Sequence, residues 1–214
     1  MLKFSKKSLG QNFLIDKNII KKIIALVEVK NKNIVEIGPG EGALTEEIIK
    51  RKPKSLSVIE KDFNLSKKLK IKYSKNKIVK VFNEDVLKFN LESIVKKNST
   101  IFGNLPYNIS SQILVQILKF KKWPPKFDNL VLMFQKELGD KISGKYPSSD
   151  YGRLSILSNF RLEILQKFLV SPNCFIPKPK VNSLVIHFLP KKKKLFNIND
   201  INNLEKIINV IFSN

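Results

Sequence analysis

The sequence predicts an α/β fold: a mostly parallel sheet with helices on both faces. Three observations carry that reading. Short β-type runs alternate with stretches of helical periodicity at the spacing of βαβ units. Several of these runs end in polar residues, which is where open α/β sheets bind ligands. One of them leads into a glycine-rich turn and a new helix, in Val35-Glu36-Ile37-Gly38-Pro39-Gly40-Glu41-Gly42-Ala43-Leu44-Thr45.

Asp16 is placed to cap a first helix, whose buried face is Ile19, Ile20, Ile23, Ile24 and Val27. The expected strands are 34–37, 55–59, 78–82, 100–102 and 129–134. The second ends at Glu60, the third near Glu84-Asp85, and the fourth at Gly103-Asn104. Leu44, Ile48 and Ile49 mark one face of the helix after the glycine turn. Further helices are expected over 65–73 and 109–120. Beyond 160 the pattern changes. Residues 162–170 and 184–189 read as strands separated by Ser171-Pro172 and Pro177-Lys178-Pro179, with no long helix between them, so they are expected to pair antiparallel. Residues 191–194 form a lysine run, read as a solvated linker. Residues 201–212 form an amphipathic helix with little left to pack on. There is no internal repeat.

A chain of 214 residues with 43% hydrophobic content can bury a proper core in one domain of ordinary size. Cys174 is the only cysteine and His187 the only histidine, which excludes an internal disulfide and a Cys/His zinc site. No apolar run approaches the ~20 residues that span a bilayer. Met1 to Gly10 is basic without the apolar core of a signal peptide. The expected compartment is the cytoplasm, with no membrane partner. The formal charge of +22 and pI of about 10.0 point to a polyanion, most simply nucleic acid. Part of that charge reflects a Lys/Asn bias, because Arg51, Arg153 and Arg161 are the only arginines.

Glycines after a strand let a ligand approach the backbone and leave the next helix's N–H groups facing it. Gly38-x-Gly40-x-x-Ala43 meets the loose dinucleotide fingerprint, and Glu60 lies about 20 residues on, where an acid bonds ribose hydroxyls. The spacing suits NAD as well as S-adenosylmethionine. Pro39 lacks an N–H in a turn that pyrophosphate would want rich in donors, which favours S-adenosylmethionine. Asp85 is the third acid at a strand end and could accept from an adenine amine. The bland alternatives are a plain strand–helix turn, a solvated Glu60 and an N-capping Asp85.

Asn104-Leu105-Pro106-Tyr107 sets a short amide, a turn carbonyl and an aromatic face together. The lone pair of an exocyclic base amine is conjugated with its ring and is a poor nucleophile. Acceptors for both N–H bonds, the Asn104 side-chain oxygen and the Pro106 carbonyl, would localise it, and Tyr107 would stack on the base. A sulfonium methyl is already activated, so positioning and electrostatics can carry much of the transfer. The base must first leave its stack. Asn and Pro are also ordinary turn residues, and a tyrosine there could be core.

Gln11-Asn12-Phe13-Leu14, Glu36-Ile37-Gly38-Pro39-Gly40, Asn104-Leu105-Pro106-Tyr107-Asn108-Ile109-Ser110 and Phe175-x-Pro177-x-Pro179-Lys180-Val181-x-Ser183 together resemble the KsgA/RsmA ribosomal RNA adenine N6-dimethyltransferases. Gln135-Lys136-Glu137 and Tyr151-Gly152-Arg153-Leu154-Ser155 resemble the same family, and the likeness runs from about Lys7 to Leu189. It implies a class I methyltransferase sheet (Rossmann-like) with S-adenosylmethionine as donor. It implies dimethylation of two adjacent adenosines near the 3′ end of small-subunit rRNA, within a pre-30S particle, by a protein acting as a monomer. By the matching motifs, Gln11, Asn12, Leu14, Gly38, Gly40, Glu60, Asp85 and Asn104 border the cofactor. Asn104, Pro106 and Tyr107 form the catalytic turn, and Phe175 is an aromatic beside the target base, although the residues alone read it as core. Lys3, Lys6 and Lys7 form a basic arm assigned to RNA.

The family continues into a helical domain, whereas this chain ends at Asn214. The expected division is therefore 1–189 as the methyltransferase domain with its basic arm, and 190–214 as a linker and the first helix of a truncated helical domain. His187, Trp123 and Cys174 are read as structural. The rival functions are an Erm-type enzyme acting on large-subunit rRNA, a non-catalytic ribosome-assembly factor on the same fold, and an NAD-linked oxidoreductase, for which no nicotinamide site is found.

Overall fold

A computed structural model describes residues 11–192 and 198–212. Its main sheet has seven strands in the order β4-β3-β2-β5-β6-β9-β7. These are β2 (Asn33–Ile37), β3 (Ser55–Ile59), β4 (Val79–Phe82), β5 (Ser99–Asn104), β6 (Phe127–Gln135), β7 (Leu162–Val170) and β9 (Ser183–Pro190). The first five pair in parallel. β9 enters antiparallel between β6 and β7; its pairing with β7 is the one the tail pattern predicts, and its pairing with β6 is not foreseen there. A separate two-stranded ribbon joins β1 (Phe13–Leu14) to β8 (Phe175–Ile176), with Leu14 opposite Phe175. The sequence pattern gives no sign of this ribbon, because two-residue strands have no period to detect.

The helices cover both faces. α1 (Lys17–Ile24) and α2 (Ala43–Lys50) bury Ile20, Ile23, Ile24, Leu44 and Ile48 against Ile34, Leu56, Val58, Phe102 and Val131. The opposite face is covered by α5 (Ser110–Leu118), α6 (Lys136–Ser143) and α7 (Arg153–Arg161), which pack on Val35, Ile37, Ile101, Leu132 and Phe188. Alternate residues of β2 thus enter different cores, as a doubly covered strand requires. Each fully buried Ile or Leu contributes about 1.5–3 kcal/mol by leaving water. Asp16 caps α1 as expected, accepting from the N–H groups of Asn18 (2.8 Å) and Ile19 (2.9 Å). Asp62 does the same for α3 (Phe63–Lys72). A single turn, α4 (Leu91–Ile94), precedes β5.

The C-terminal helix α8 (Ile198–Ile211) corrects the expectation that it has little to pack on. Ile201 and Ile208, two turns apart on one face, are buried in the same core as α5 and α7. Lys119 pairs with Glu205 at 2.6 Å, and Arg153 donates to the Asn209 side chain. The hidden partner is α7, a helix whose sequence has only weak amphipathic periodicity.

Trp123 is the packing anchor expected. Its Nε1 donates to the Lys191 carbonyl at 2.9 Å, and the Arg161 guanidinium lies 4.6 Å from its ring centre. Arg161 is buried and donates to the carbonyls of Leu118 (2.6 Å) and Phe120 (2.9 Å), closing the C-terminal end of α5. His187 bonds the Asn129 side chain across the sheet at 2.8 Å, and burial lowers its pKa, so it stays a neutral strut. Cys174 is buried, and loss of water raises its thiol pKa. Among the described residues no helix is long and apolar enough to cross a membrane.

Candidate functional site

The strand order reverses between β2 and β5, because the chain turns one way from β2 to β3 and β4 and then returns to the other side for β5. In open α/β sheets the ligand crevice opens at such a point, outside the carboxyl ends of the strands. The principal cavity lies there, walled by Gln11, Asn12, Leu14, Gly38, Gly40, Glu60, Asp85, Asn104, Pro106 and Tyr107. Elements distant in sequence thus assemble one site.

The glycine turn is left-handed at Gly38 (φ 67°) and Gly40 (φ 58°), a region that strains other residues. The Gly38 N–H donates to the Ile59 carbonyl at 3.0 Å, which locks the turn to the end of β3. A side chain at Gly40 would start 2.8 Å from the Phe13 ring, so the β1–β8 ribbon lies directly against the turn.

Three acids border the turn. Glu60 Oε2 accepts from the Gly40 N–H at 3.1 Å and Oε1 from the Asp62 N–H at 2.8 Å. Burial raises the Glu60 pKa and these backbone bonds oppose the rise. Each oxygen keeps a lone pair for a ligand hydroxyl. Asp85 is more open. Lys61 lies 2.9 Å from its Oδ2 and lowers its pKa, while its Oδ1 accepts from the Leu87 N–H at 3.1 Å. Asp85 thus caps a turn and not the helix that the N-cap alternative supposed, and it stays in the cavity wall.

The third acid, Glu36, has no role assigned to it by the sequence. It points from β2 into the α2 side of the sheet, only 1% exposed, where Thr45 Oγ1 donates to Oε2 at 2.6 Å. Its other oxygen, Oε1, is buried with no protein partner. Desolvation, opposed by Thr45 and assisted by the charge of Glu60, pushes its pKa up to about 8. The available signal is an acid inside an apolar strand with a threonine nine residues on, near the start of the next helix. An unpartnered buried carboxyl oxygen in the wall of a cavity suits a ligand that carries positive charge.

The catalytic turn ends β5. Asn104 Nδ2 donates to the Asn12 carbonyl at 3.3 Å, which leaves Oδ1 as the acceptor of the amide. The Pro106 carbonyl is not wholly free, since the Ile109 N–H donates to it at 3.2 Å; one lone pair remains. The Tyr107 hydroxyl bonds Ser183 Oγ at 2.7 Å, a tie from the turn to β9 that the sequence does not announce. Burial raises the Tyr107 pKa. Gly103 makes room for this turn, because a Cβ there would fall 2.6 Å from Leu105 and 2.9 Å from Leu132.

Phe175 lies in the core, 2% exposed, with Leu14, Val170, Cys174 and Val185, and is not among the residues that wall the cavity. In the β1–β8 ribbon Phe175 turns inward and its neighbour Ile176 outward, so it holds the ribbon that carries Asn12 and Leu14. Lys3, Lys6 and Lys7 lie outside the described residues.

Glycines in left-handed conformation, acids past two strand ends and a third inside β2, and apolar walls from Ile37, Leu44, Ile59, Val86 and Ile113 suit an organic cofactor of nucleoside type. Among the described residues no group of three or more His, Cys, Asp or Glu could hold a metal ion.

A family model described as ribosomal RNA adenine dimethylase matches residues 3–214. The chain is 46% identical to ribosomal RNA small subunit methyltransferase A of Pelagibacter ubique, spanning 98% of this chain and 79% of that protein. It is 42% identical to the protein of the same name from Malacoplasma penetrans, spanning 98% and 74%. The crystal structure of a dimethyladenosine transferase from Plasmodium falciparum superposes with a TM-score of 0.81 at 27% identity, covering 94% of this chain and 70% of that one. The 23S rRNA methyltransferase ErmE superposes at 0.74 and 26%, covering 94% and 79%. The seven-stranded sheet is thus a class I methyltransferase sheet, as expected. The chain is a methyltransferase and belongs to the ribosomal RNA adenine dimethylase family.

Proposed function

We propose that this protein transfers methyl groups from S-adenosylmethionine to the N6 amines of two adjacent adenosines near the 3′ end of small-subunit rRNA. Each receives two, giving N6,N6-dimethyladenosines during ribosome biogenesis. The observation that carries the reading is the orientation of Asn104. Its amide nitrogen is committed to the Asn12 carbonyl, so its oxygen is the group offered to an amine at the end of β5.

S-adenosylmethionine, when bound, supplies an electrophilic methyl on a sulfonium. Glu60 would offer its carboxylate to ribose hydroxyls, and Asp85 would accept from an adenine amine. Gly38 and Gly40 let the ligand approach the backbone, while Gln11, Asn12 and Leu14 close the other side. Glu36, whose Oε1 lacks a protein partner, would be the acid nearest in kind to balance the positive charge. Asn104 Oδ1 and the second lone pair of the Pro106 carbonyl accept the two N–H bonds of the target amine, and Tyr107 stacks on its base. In each transfer the nitrogen would bond to the methyl carbon as its carbon–sulfur bond breaks, leaving S-adenosylhomocysteine, and the nitrogen would shed one proton to water. Positioning of this kind does not call for a strong base.

The substrate is rRNA within a pre-30S particle, met by a monomer in the cytoplasm, and Lys3, Lys6 and Lys7 contribute to phosphate binding. The transferase domain of this proposal is 1–189; from 190 onward the tail adds α8 as a buttress on α7.

The test is transfer of labelled methyl from S-adenosylmethionine to purified small and large ribosomal subunits lacking these marks, with modified nucleotides mapped by mass spectrometry. Dimethyladenosine pairs in the small subunit are expected. Label confined to the large subunit would move the assignment to the Erm type, and tight binding of NAD alone would sink the cofactor reading.

A further inference from the structure

The loop between α6 and α7 carries an aromatic pair that the catalytic reading does not use. Tyr146 is 81% exposed, and its ring centre lies 6.0 Å from that of Tyr151 in an edge-to-face arrangement. Asp150, the residue before Tyr151, lines a groove together with Lys136, Glu137, Asp140, Lys180 and Asn182. The groove adjoins the catalytic turn. The Lys136 N–H donates to the Asn182 carbonyl at 2.9 Å, and the next residue, Ser183, holds the Tyr107 hydroxyl.

The charges around it divide into two sets. Lys136 and Lys141 are engaged by Asp140 (2.5 Å) and Glu137 (2.7 Å), and Asp150 faces the groove as an acid. Lys145, next to Tyr146, and Lys180 are exposed and make no ion pair among the described residues. Exposed aromatic rings flanked by uncommitted cations match single-stranded nucleic acid, in which bases stack on rings and phosphates meet lysines.

We propose that Tyr146, braced by Tyr151, is a stacking platform for an unpaired base of the RNA strand next to the methylated adenosine, with Lys145 and Lys180 receiving its phosphates. The platform rests on the rRNA reading of the catalytic site and adds a second point of grip outside the catalytic turn. It holds the strand while a base is drawn out to Tyr107, so it acts on RNA affinity and not on the chemical step.

The experiment is fluorescence anisotropy with a labelled single-stranded RNA of the small-subunit 3′ sequence, read without methyl transfer. Tyr146→Ala is expected to weaken binding about tenfold, within the range for one base stacked on an aromatic ring, while Tyr146→Phe stays within about twofold. Lys145→Gln and Lys180→Gln each flatten the salt dependence. In transfer assays Tyr146→Ala raises KM for RNA and leaves kcat and S-adenosylmethionine affinity in place. Wild-type affinity in Tyr146→Ala, or a Phe variant as weak as the Ala one, overturns the platform and leaves the enzyme reading standing. Failure of the wild type to bind this RNA at all overturns the platform alone, since the rRNA reading is decided by methyl transfer to the ribosomal subunits.

Discussion

The Asn104 side-chain nitrogen donates to the Asn12 carbonyl, joining the end of β5 to a segment 92 residues earlier. That bond decides which end of the amide is offered to substrate. Asn104→Ala removes the acceptor and is expected to lower kcat by about 10²–10³, the usual cost of one preorganised electrostatic contact. The fold is expected to survive, checked by an unchanged thermal melt and retained S-adenosylmethionine binding. Turnover close to wild type would strip Asn104 of its catalytic role.

Ser183→Ala frees the Tyr107 hydroxyl. Stability is expected to fall by about 0.5–1.5 kcal/mol, the net worth of one hydrogen bond. Tyr107→Phe should cost a similar amount, and the double variant little more than either alone. A double-mutant cycle in urea reads the coupling; strict additivity would show that the two hydroxyls do not depend on one another.

Glu36 makes the empty protein's stability depend on pH. Its folded pKa stands near 8 against an ordinary 4.5, so the folded state binds the extra proton between those values. Its contribution is best below about pH 4.5 and is lost as pH rises toward 8, by at most about 1.4 kcal/mol for each pH unit. Glu36→Gln is expected to flatten this slope in denaturant melts at about pH 5, 6.5 and 8, and to weaken binding of a positively charged cofactor. A slope that persists in the variant belongs to another group.

Gly40→Ala must place a methyl against the Phe13 ring and hold a left-handed backbone, a strain of about 1–2 kcal/mol. A lower Tm and weaker S-adenosylmethionine binding are expected together, because the same turn carries the N–H held by Glu60. Calorimetry on Gly40→Ala, with Gly152→Ala as a control where no atom lies within 4 Å of the added carbon, separates local strain from a general glycine effect.

Replacing Lys3, Lys6 and Lys7 with glutamine is expected to weaken RNA binding and reduce its salt slope, with cofactor affinity untouched. Titrations at several salt concentrations decide it; an unmoved RNA affinity removes the arm from the RNA surface.

Much of the fold and site is legible in the residues because the strands that carry the site are long enough to show their pattern. Ile37, Ile59 and Phe102 close apolar runs, and each run gives way to glycine or a polar side chain, so Gly38, Glu60 and Asn104 stand out as strand-end groups. The bonds that tune them do not show in the sequence. Ser183 meets Tyr107, and Asn12 meets Asn104, only through sheet and ribbon pairings that no local pattern encodes. Glu36 is hidden for the opposite reason: it sits inside the glycine motif, but alternation alone does not reveal that one of its oxygens is left without a partner. Phe175 is legible as core from its own residue type, and the family likeness draws it toward the substrate instead. α7 escapes because its apolar residues do not keep a clean helical period, which also hides the surface that receives α8.

Among the described residues β9 is the last strand, and it lies between β6 and β7 in the sheet. During synthesis, β6 and β7 must therefore wait with facing edges unpaired until residues 183–190 emerge, a non-local closure of the slow kind. The residue that opens β9 is Ser183, the anchor of Tyr107. Completing the sheet and completing the substrate turn are thus a single event on the growing chain, so a nascent protein cannot bring Tyr107 to its place before β9 has been inserted.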